Sequence, residues 1–452
     1  MSWNGIARIP RAVLQIKGID ASKFLNGLIT TRLLPNVVKK KQHTISDNEN
    51  RHLELQEVID PQKNWGLMHE DIYDPEFNIF VRRDGVSSMF LNSKGRVVND
   101  CFVYANPYHT LTEAFRETIK EPNFLVEVDP KYASALQSLL RIHKLSARVK
   151  IEPVKSVFSY YYYNETPEFE EWLEEFQMNY LTTGDPEGAL ENANKVVEEE
   201  LIFNKKFAPN VAGFAIDNRI PNFGLKILTT EEATDPAEIF SESFKALFDV
   251  KEVSPHSITD RRYVNGLFET SDAPAGMSLL PFECNLDYIN GLSLEKGCYV
   301  GQELTIRTYN GGVIRKRVVP LSFTGDEGDL AKLGDADVTE VSLEPAVEEE
   351  APKKAASPFG DSKKAASPFG DSKKAASPFG DSGKSASPFG SSGRAPRKSK
   401  IGKLLSVRGK MGFALVNLDK LKKDNRLKVS VPGVSKELDA TAHVPEWWPE
   451  DI

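Results

Sequence analysis

Apolar positions along the chain switch between two periods. In "RAVLQIKGIDASKFLNGLIT" an alternating run up to Lys17 gives way to Phe24, Leu25, Leu28 and Ile29, spaced along one helical face behind Asp20. That pattern predicts strand, turn and helix, with Asp20 as N-cap. "FLVEVDPKYASALQSLLRIHKL" repeats the order: a strand, then a helix capped by Asp129 with Pro130 in its first position. "ARVKIEP" resumes a strand. "SSMFLNSKGRVVNDCFVY" reads as a hairpin turning at Asn92 to Gly95. Strands alternating with helices and hairpins predict an α+β fold.

Later segments behave differently. Two stretches read as surface additions: residues 39–84 are polar and irregular, and 169–200 are acidic with helical spacing ("FEEWLEEFQM", "LENANKVVEEE"), the acids forming a solvated face. From Gly325 to about Lys400 large apolar residues are scarce. Near-copies of "KKAASPFGDS" begin at Lys353, Lys363 and Lys373, with "GKSASPFGSS" at Gly383. Pro, Gly and Ser in each copy oppose helix and strand. Asp326 to Glu350 carries a net charge of -9, and Lys353 to Lys400 a net charge of +8. Residues 325–400 therefore read as a disordered insert, either a solvated tether or a docking tail with Phe-Gly anchors. On its two sides, "VIRKRVVPLSFTG", "IGKLLSVRGKMGFALVNLDK" and "LKVSVPG" read as strands of one small barrel or sandwich. A long loop between paired strands costs only a logarithmic penalty. The organisation read from the pattern is 1–150, 151–312, a barrel from 313–324 and 401–452, and the insert.

With 452 residues and 40% hydrophobic content, the chain has material for about three cores. No apolar run approaches the ~20 residues of a membrane span, so no membrane is expected. The net charge of -8 argues against nucleic acid as a partner. The start, "MSWNGIARIPRAVLQIKG", has neither a secretory pattern nor the Arg- and Ser-rich look of a transit peptide.

Sulfur is sparse. The three cysteines, Cys101, Cys284 and Cys298, form no C-x-x-C pair, which argues against structural zinc and against disulfides. Cys101 ("NDCFVY") and Cys284 ("PFECNLD") lie in apolar, strand-like contexts and read as core. Cys298 stands in "LEKGCYVGQEL", between glycines and just ahead of the helical run "QELTIRTY". A helix N-terminus and Lys296 nearby favour a thiolate, which is a nucleophile or a soft-metal ligand. A buried small hydrophobe is the bland alternative.

"NGLSLEKGCYVGQELTIRTYNGGVIRKRVVPL", with "GIDASKFLNGLIT", "KGRVVNDCFVY" and "FAIDNRIPNFGLKI", strongly resembles the YgfZ-type, folate-binding relatives of the glycine-cleavage T-protein, in their mitochondrial iron–sulfur assembly branch. The resemblance implies two α+β domains around a central funnel plus a C-terminal β-barrel. It implies a matrix protein, monomeric when free, that helps make four-iron clusters for enzymes such as aconitase and lipoate synthase. The implied partners are A-type iron–sulfur carriers. A two-iron cluster needs four ligands. Cys298 would give one, as the metal ligand, and a carrier or glutathione the rest. Lys296 and Arg307 would balance the cluster's charge, Gln302 and Glu303 would orient the turn or cap the helix, and Asp217 and Arg219 would pair near the funnel.

A tetrahydrofolate-dependent aminomethyltransferase is the alternative reading. The T-protein's acidic pair corresponds to Asn99-Asp100, where only Asp100 is acidic. Its pterin-binding "R-x-E-x-G" corresponds to Arg262 through Gly266, where Val264 replaces the glutamate. That departure weakens one-carbon catalysis and tight folate binding. A thiol redox switch would need a resolving cysteine, and Cys284 lies 14 residues away.

Overall fold

The computed structural model describes residues 4–33, 66–68, 81–111, 121–294, 296–346 and 401–449. The chain opens with β1 (Asn4–Ile9), β2 (Ala12–Lys17) and α1 (Ala21–Asn26). Two short strands follow, β3 (Leu67–Met68) and β4 (Val81–Arg82), which among the described residues pair with each other. Then come β5 (Val86–Leu91), β6 (Val97–Ala105), β7 (Asn123–Val128), α2 (Pro130–Lys144), β8 (Lys150–Val154) and β9 (Phe158–Asn164). Asp129 caps α2 by accepting from the Lys131 amide, with Pro130 at the first turn, as the sequence predicts. Asp20 precedes α1 but does not cap it. Its carboxylate takes the Arg148 amide and guanidinium instead, at 2.8 and 2.9 Å.

The acidic stretch is helical as expected: α3 (Pro167–Phe176), a wider π-type turn (Gln177–Leu181), and α4 (Pro186–Glu198). After it run β10 (Val211–Ile216), β11 (Leu225–Thr229), α5 (Glu242–Leu247), α6 (Pro255–Val264) and α7 (Gln302–Asn310).

One antiparallel sheet has the order β5-β6-β7-β2-β8 and the other β1-β9-β11-β10. The boundary at 150 therefore does not cut the chain into two units. β1 pairs with β9 in full register, Asn4 with Asn164 through Ile9 with Ser159. Successive strands β1 and β2 belong to different sheets, separated by Pro10 and Arg11. Proline has no N–H to give a ladder, which suits it to the point where the chain leaves a sheet. Val13, Phe102, Tyr104, Leu125, Ala212, Ala215 and Leu228 fill the space between the sheets. Gly213 and Gly85 lie so close to Tyr104 that an added Cβ would come within 3.1 and 2.8 Å of its ring.

The third unit is a closed barrel, β12-β15-β14-β13-β16-β17, with β17 returning to β12. Its strands are β12 (Lys316–Thr324), β13 (Ser342–Pro345), β14 (Gly402–Arg408), β15 (Met411–Asn417), β16 (Arg426–Ser430) and β17 (Leu438–Ala442). It also carries α8 (Glu327–Asp335) and α9 (Leu418–Leu421). Here the sequence reading needs correction, because α8 and β13 lie inside the stretch assigned to the insert. Leu330, Leu333, Val341 and Leu343 are enough apolar residues to pack into the barrel core despite the surrounding acids. The SPFG repeats, and most of 39–84, lie outside the described residues. Those of 39–84 that are described are not surface: Arg82 and Asp84 form a buried ion pair at 2.7 Å. Among the described residues no helix is long and apolar enough to cross a membrane.

Candidate functional site

Two features hold the predicted site residues: an exposed arm around Cys298, and a buried ionic cluster where the two sheets meet. The arm runs from Gly291 to Gly301, ahead of α7. Cys298 is exposed, and Cys101 and Cys284 are buried. Burial pushes both core thiols well above the ordinary range, with nearby carboxylates adding to the effect. Cys284 is thus unsuited to resolve a disulfide.

Lys296 does not stand beside the sulfur as a free charge. Its side chain is buried, and Nζ donates to the carbonyls of Ile29 at 2.7 Å and Thr31 at 2.8 Å. The ammonium also lies 4.8 Å from the centre of the Tyr299 ring. Of the two glycines flanking the cysteine, only Gly301 is constrained. Its φ of +80° is left-handed, whereas Gly297 sits in open space. Gln302 begins α7, and its side-chain Nε2 donates to the Lys296 carbonyl at 3.4 Å, closing the turn. Arg307 and Glu303 pair with one another at 2.6 Å on the outer, exposed face of α7.

The ionic cluster draws on five chain segments. Arg219 grips Asp217 through Nε and Nη2, both at 2.8 Å, and reaches Glu269 through Nη1 at 2.9 Å. The sequence anticipates the Asp217–Arg219 pair. It does not reveal Arg11, which meets Glu269 from the break between β1 and β2 at 2.8 Å, nor the buried Lys226–Glu127 pair at 2.9 Å. The parts of this network lie far apart along the chain, and no local spacing marks them.

Burial pushes the Asp217 and Glu269 carboxyls up. The neighbouring guanidiniums more than offset it, holding Asp217 below and Glu269 well below the usual range. Arg262 binds Asp272 through two nitrogens, at 2.5 and 2.8 Å, and the Leu267 carbonyl at 2.8 Å. Asp100 accepts from the Thr270 amide at 2.8 Å and from its hydroxyl. Burial, with the Glu269 charge second, raises its pKa.

Arg11, Arg219, Lys226, Arg262, Glu269 and Asp272 line a cavity of about 410 Å³. Arg219 also borders a second cavity of about 260 Å³, with Thr31, Arg32, Phe102, Asn218 and Leu292. The smaller cavity adjoins the arm, because Thr31 carries one of the carbonyls that hold Lys296. Val264, which the sequence resemblance sets against a pterin-binding glutamate, is 49% exposed and offers no carboxylate. Among the described residues no three His, Cys, Asp or Glu side chains gather as a metal site.

The family description "CAF17, C-terminal beta-barrel domain" matches residues 382–450. The chain is 50% identical to the iron–sulfur cluster assembly factor IBA57 homolog, mitochondrial, of Debaryomyces hansenii, over 99% of both chains. It is 47% identical to the homolog of Candida albicans over 98% of both. To the Saccharomyces cerevisiae protein it is 30% identical, over 69% of this chain and 66% of that one. The glycine cleavage system aminomethyltransferase T of Bartonella henselae superposes with a TM-score of 0.46 at 10% identity, covering 99% of this chain and 87% of the other. At half of all positions shared over nearly the full length, the chain belongs to the family of the mitochondrial iron–sulfur cluster assembly factor IBA57.

Proposed function

We propose that this chain is a mitochondrial iron–sulfur cluster assembly factor that uses Cys298 as one ligand of a two-iron cluster shared with another molecule. The observation that carries this reading is the exposure of Cys298 on an otherwise well-anchored arm, in a chain whose other two thiols are buried. Thiolate ligation of such a cluster takes four donors. The described residues bring no group of three donor side chains together, so the missing ligands come from outside. A-type carriers are the partners of choice, with glutathione as a small-molecule substitute. A ligand shared across two molecules is also easily released, which suits transfer to four-iron acceptors. The absence of a carboxylate at Val264, and the engagement of Asp100 by Thr270, favour this role over folate-dependent transfer.

The test is anaerobic mixing with a cluster-loaded A-type carrier, followed by visible absorption and native mass. The wild-type chain is expected to form a mixed complex that retains the cluster, and Cys298→Ser to form none. A Cys298→Ser protein that holds the same cluster with the same absorption removes the thiol from the mechanism.

A further inference from the structure

We propose that the Cys298 arm is braced at both ends, by Lys296 on one side and by a glycine–glycine contact between Gly95 and Gly301 on the other, and that these three act as positioning residues for the sulfur. The inference rests on the reading of Cys298 as a cluster ligand, and it names what holds that ligand in place.

The near end of the arm is tied to the segment after α1. The Ser293 amide donates to the Thr30 carbonyl at 3.0 Å, and Ser293 Oγ accepts from the Lys296 amide at 3.2 Å. Lys296 Nζ then bridges the carbonyls of Ile29 and Thr31, which belong to the same segment. A buried ammonium needs such acceptors to offset its lost hydration. Swinging the arm outward would strip them away.

The far end is fixed by shape. Gly301 has φ +80° and Gly95 φ +70°, both in the left-handed region. A Cβ on Gly301 would lie 2.5 Å from the Asn92 carbonyl oxygen and 3.0 Å from Gly95 Cα. A Cβ on Gly95 would lie 2.8 Å from the Gly301 oxygen and 2.8 Å from Leu304 Cβ. The two backbones therefore touch with no room for a side chain on either. The hairpin turn is itself locked, since Asn92 Oδ1 accepts the amides of Lys94 and Arg96 at 2.9 and 3.1 Å. Just before Gly301, the Val300 amide donates to the Gly27 carbonyl at 3.1 Å. Cys298 lies between these anchors, next to Gly297, where an added Cβ would meet nothing within 4 Å. A ligand that must meet donors from a second molecule gains from being held in advance, because ordering it at capture costs affinity.

Two measurements on the full-length chain test this: amide hydrogen exchange of residues 297–303 in the free protein, and visible circular dichroism of the cluster captured from a loaded A-type carrier. Gly95→Ala, remote in sequence, and Lys296→Met should each speed exchange in the arm by about tenfold or more, without speeding it in α2 or the barrel. Each should lower the amount of captured cluster at equal concentrations by about tenfold. Gly297→Ala should change neither. If Gly95→Ala does not fold, Leu304→Ala, which removes the Cδ2 methyl packed beside Gly95, loosens the same end of the arm and takes its place.

Unchanged exchange in the brace variants overturns the brace. Faster exchange with undiminished capture overturns the positioning role. Cys298→Ser separates the two readings, since it should abolish capture while leaving arm exchange at the wild-type rate. Capture that survives Cys298→Ser sinks the cluster-ligand reading, and with it the positioning of a ligand, whatever the exchange shows.

Discussion

Replacing Arg219 by Met would leave the methylene packing roughly in place and remove the charge between Asp217 and Glu269. The three side chains are only 6%, 0% and 5% exposed. Glu269 keeps Arg11 at 2.8 Å and Arg262 at 3.8 Å. Asp217 keeps the Tyr161 hydroxyl at 3.0 Å and loses both of its close guanidinium contacts. The change is therefore one buried ion pair broken from one side, a loss of about 3–5 kcal/mol. Asp217→Asn in the same chain removes the stranded charge and should restore about 1–3 kcal/mol, a coupling visible only in the double variant.

The pH dependence has a definite sign. Asp217 has a depressed folded pKa, so its contribution is present above the unfolded value of about 4 and is lost as pH falls through the folded value. Without Arg219 burial prevails and the carboxyl takes up a proton more readily. The deficit of the single variant should accordingly shrink between about pH 7 and about pH 4. Urea unfolding followed by fluorescence and circular dichroism gives both numbers. A loss below about 1 kcal/mol, or a deficit that is the same at both pH values, refutes the account of a buried, mutually dependent network.

Two further outcomes follow from groups away from the site. Burial lowers His109 from 6.5 to about 4, and its Nδ1 accepts the Leu111 amide at 3.1 Å, so the proton is on Nε2, facing the Ala208 carbonyl. Its contribution is complete above the unfolded pKa and disappears as pH falls toward the folded one, about 3 kcal/mol in all. His109→Gln should flatten stability in that window, and equal slopes for variant and wild type would contradict it. Deleting Ala351 to Gly390 leaves every described barrel strand in place, and the shorter loop should stabilise the fold by about 1 kcal/mol. A thermal-melt loss beyond about 2 kcal/mol would show that the repeats pack against the protein.

What the sequence showed was mostly local. Helix α2 was legible because Asp129 and Pro130 encode its start within three residues, and the hairpin because Asn92 to Gly95 encodes its turn. Helix α7 and the barrel strands β12, β14, β15 and β16 were legible for the same reason. Asp20 was misread because a distant arginine, Arg148, competes for the carboxylate that would have capped α1. Strand β13 was hidden because the acids around it outweigh Leu343 in any local count, and its burial depends on pairing with β14 and β16, both distant along the chain. Lys296 drew attention through its proximity to Cys298 in sequence, which suggested electrostatics where the structure shows a tie to the Ile29 and Thr31 carbonyls. Most of the ionic cluster was invisible because it exists only once the sheets have met. Gln177 is a further case: within an acidic stretch read as a solvated face, the π-type turn lets it bind Asn222 and Asn218, both at 2.8 Å, in the loop that carries Arg219.

The pairing of β1 with β9 has a consequence for how the molecule is made. Synthesis proceeds from the N-terminus, so the first strand emerges long before the one it zips to, and it must wait unpaired while the whole intervening sheet is produced. Pairings that span such a length of chain form late and leave an apolar edge uncovered meanwhile. Nascent chains that stop short of Asn164 would carry that edge with no remedy, which makes early termination more hazardous here than in a protein whose layers are consecutive along the sequence.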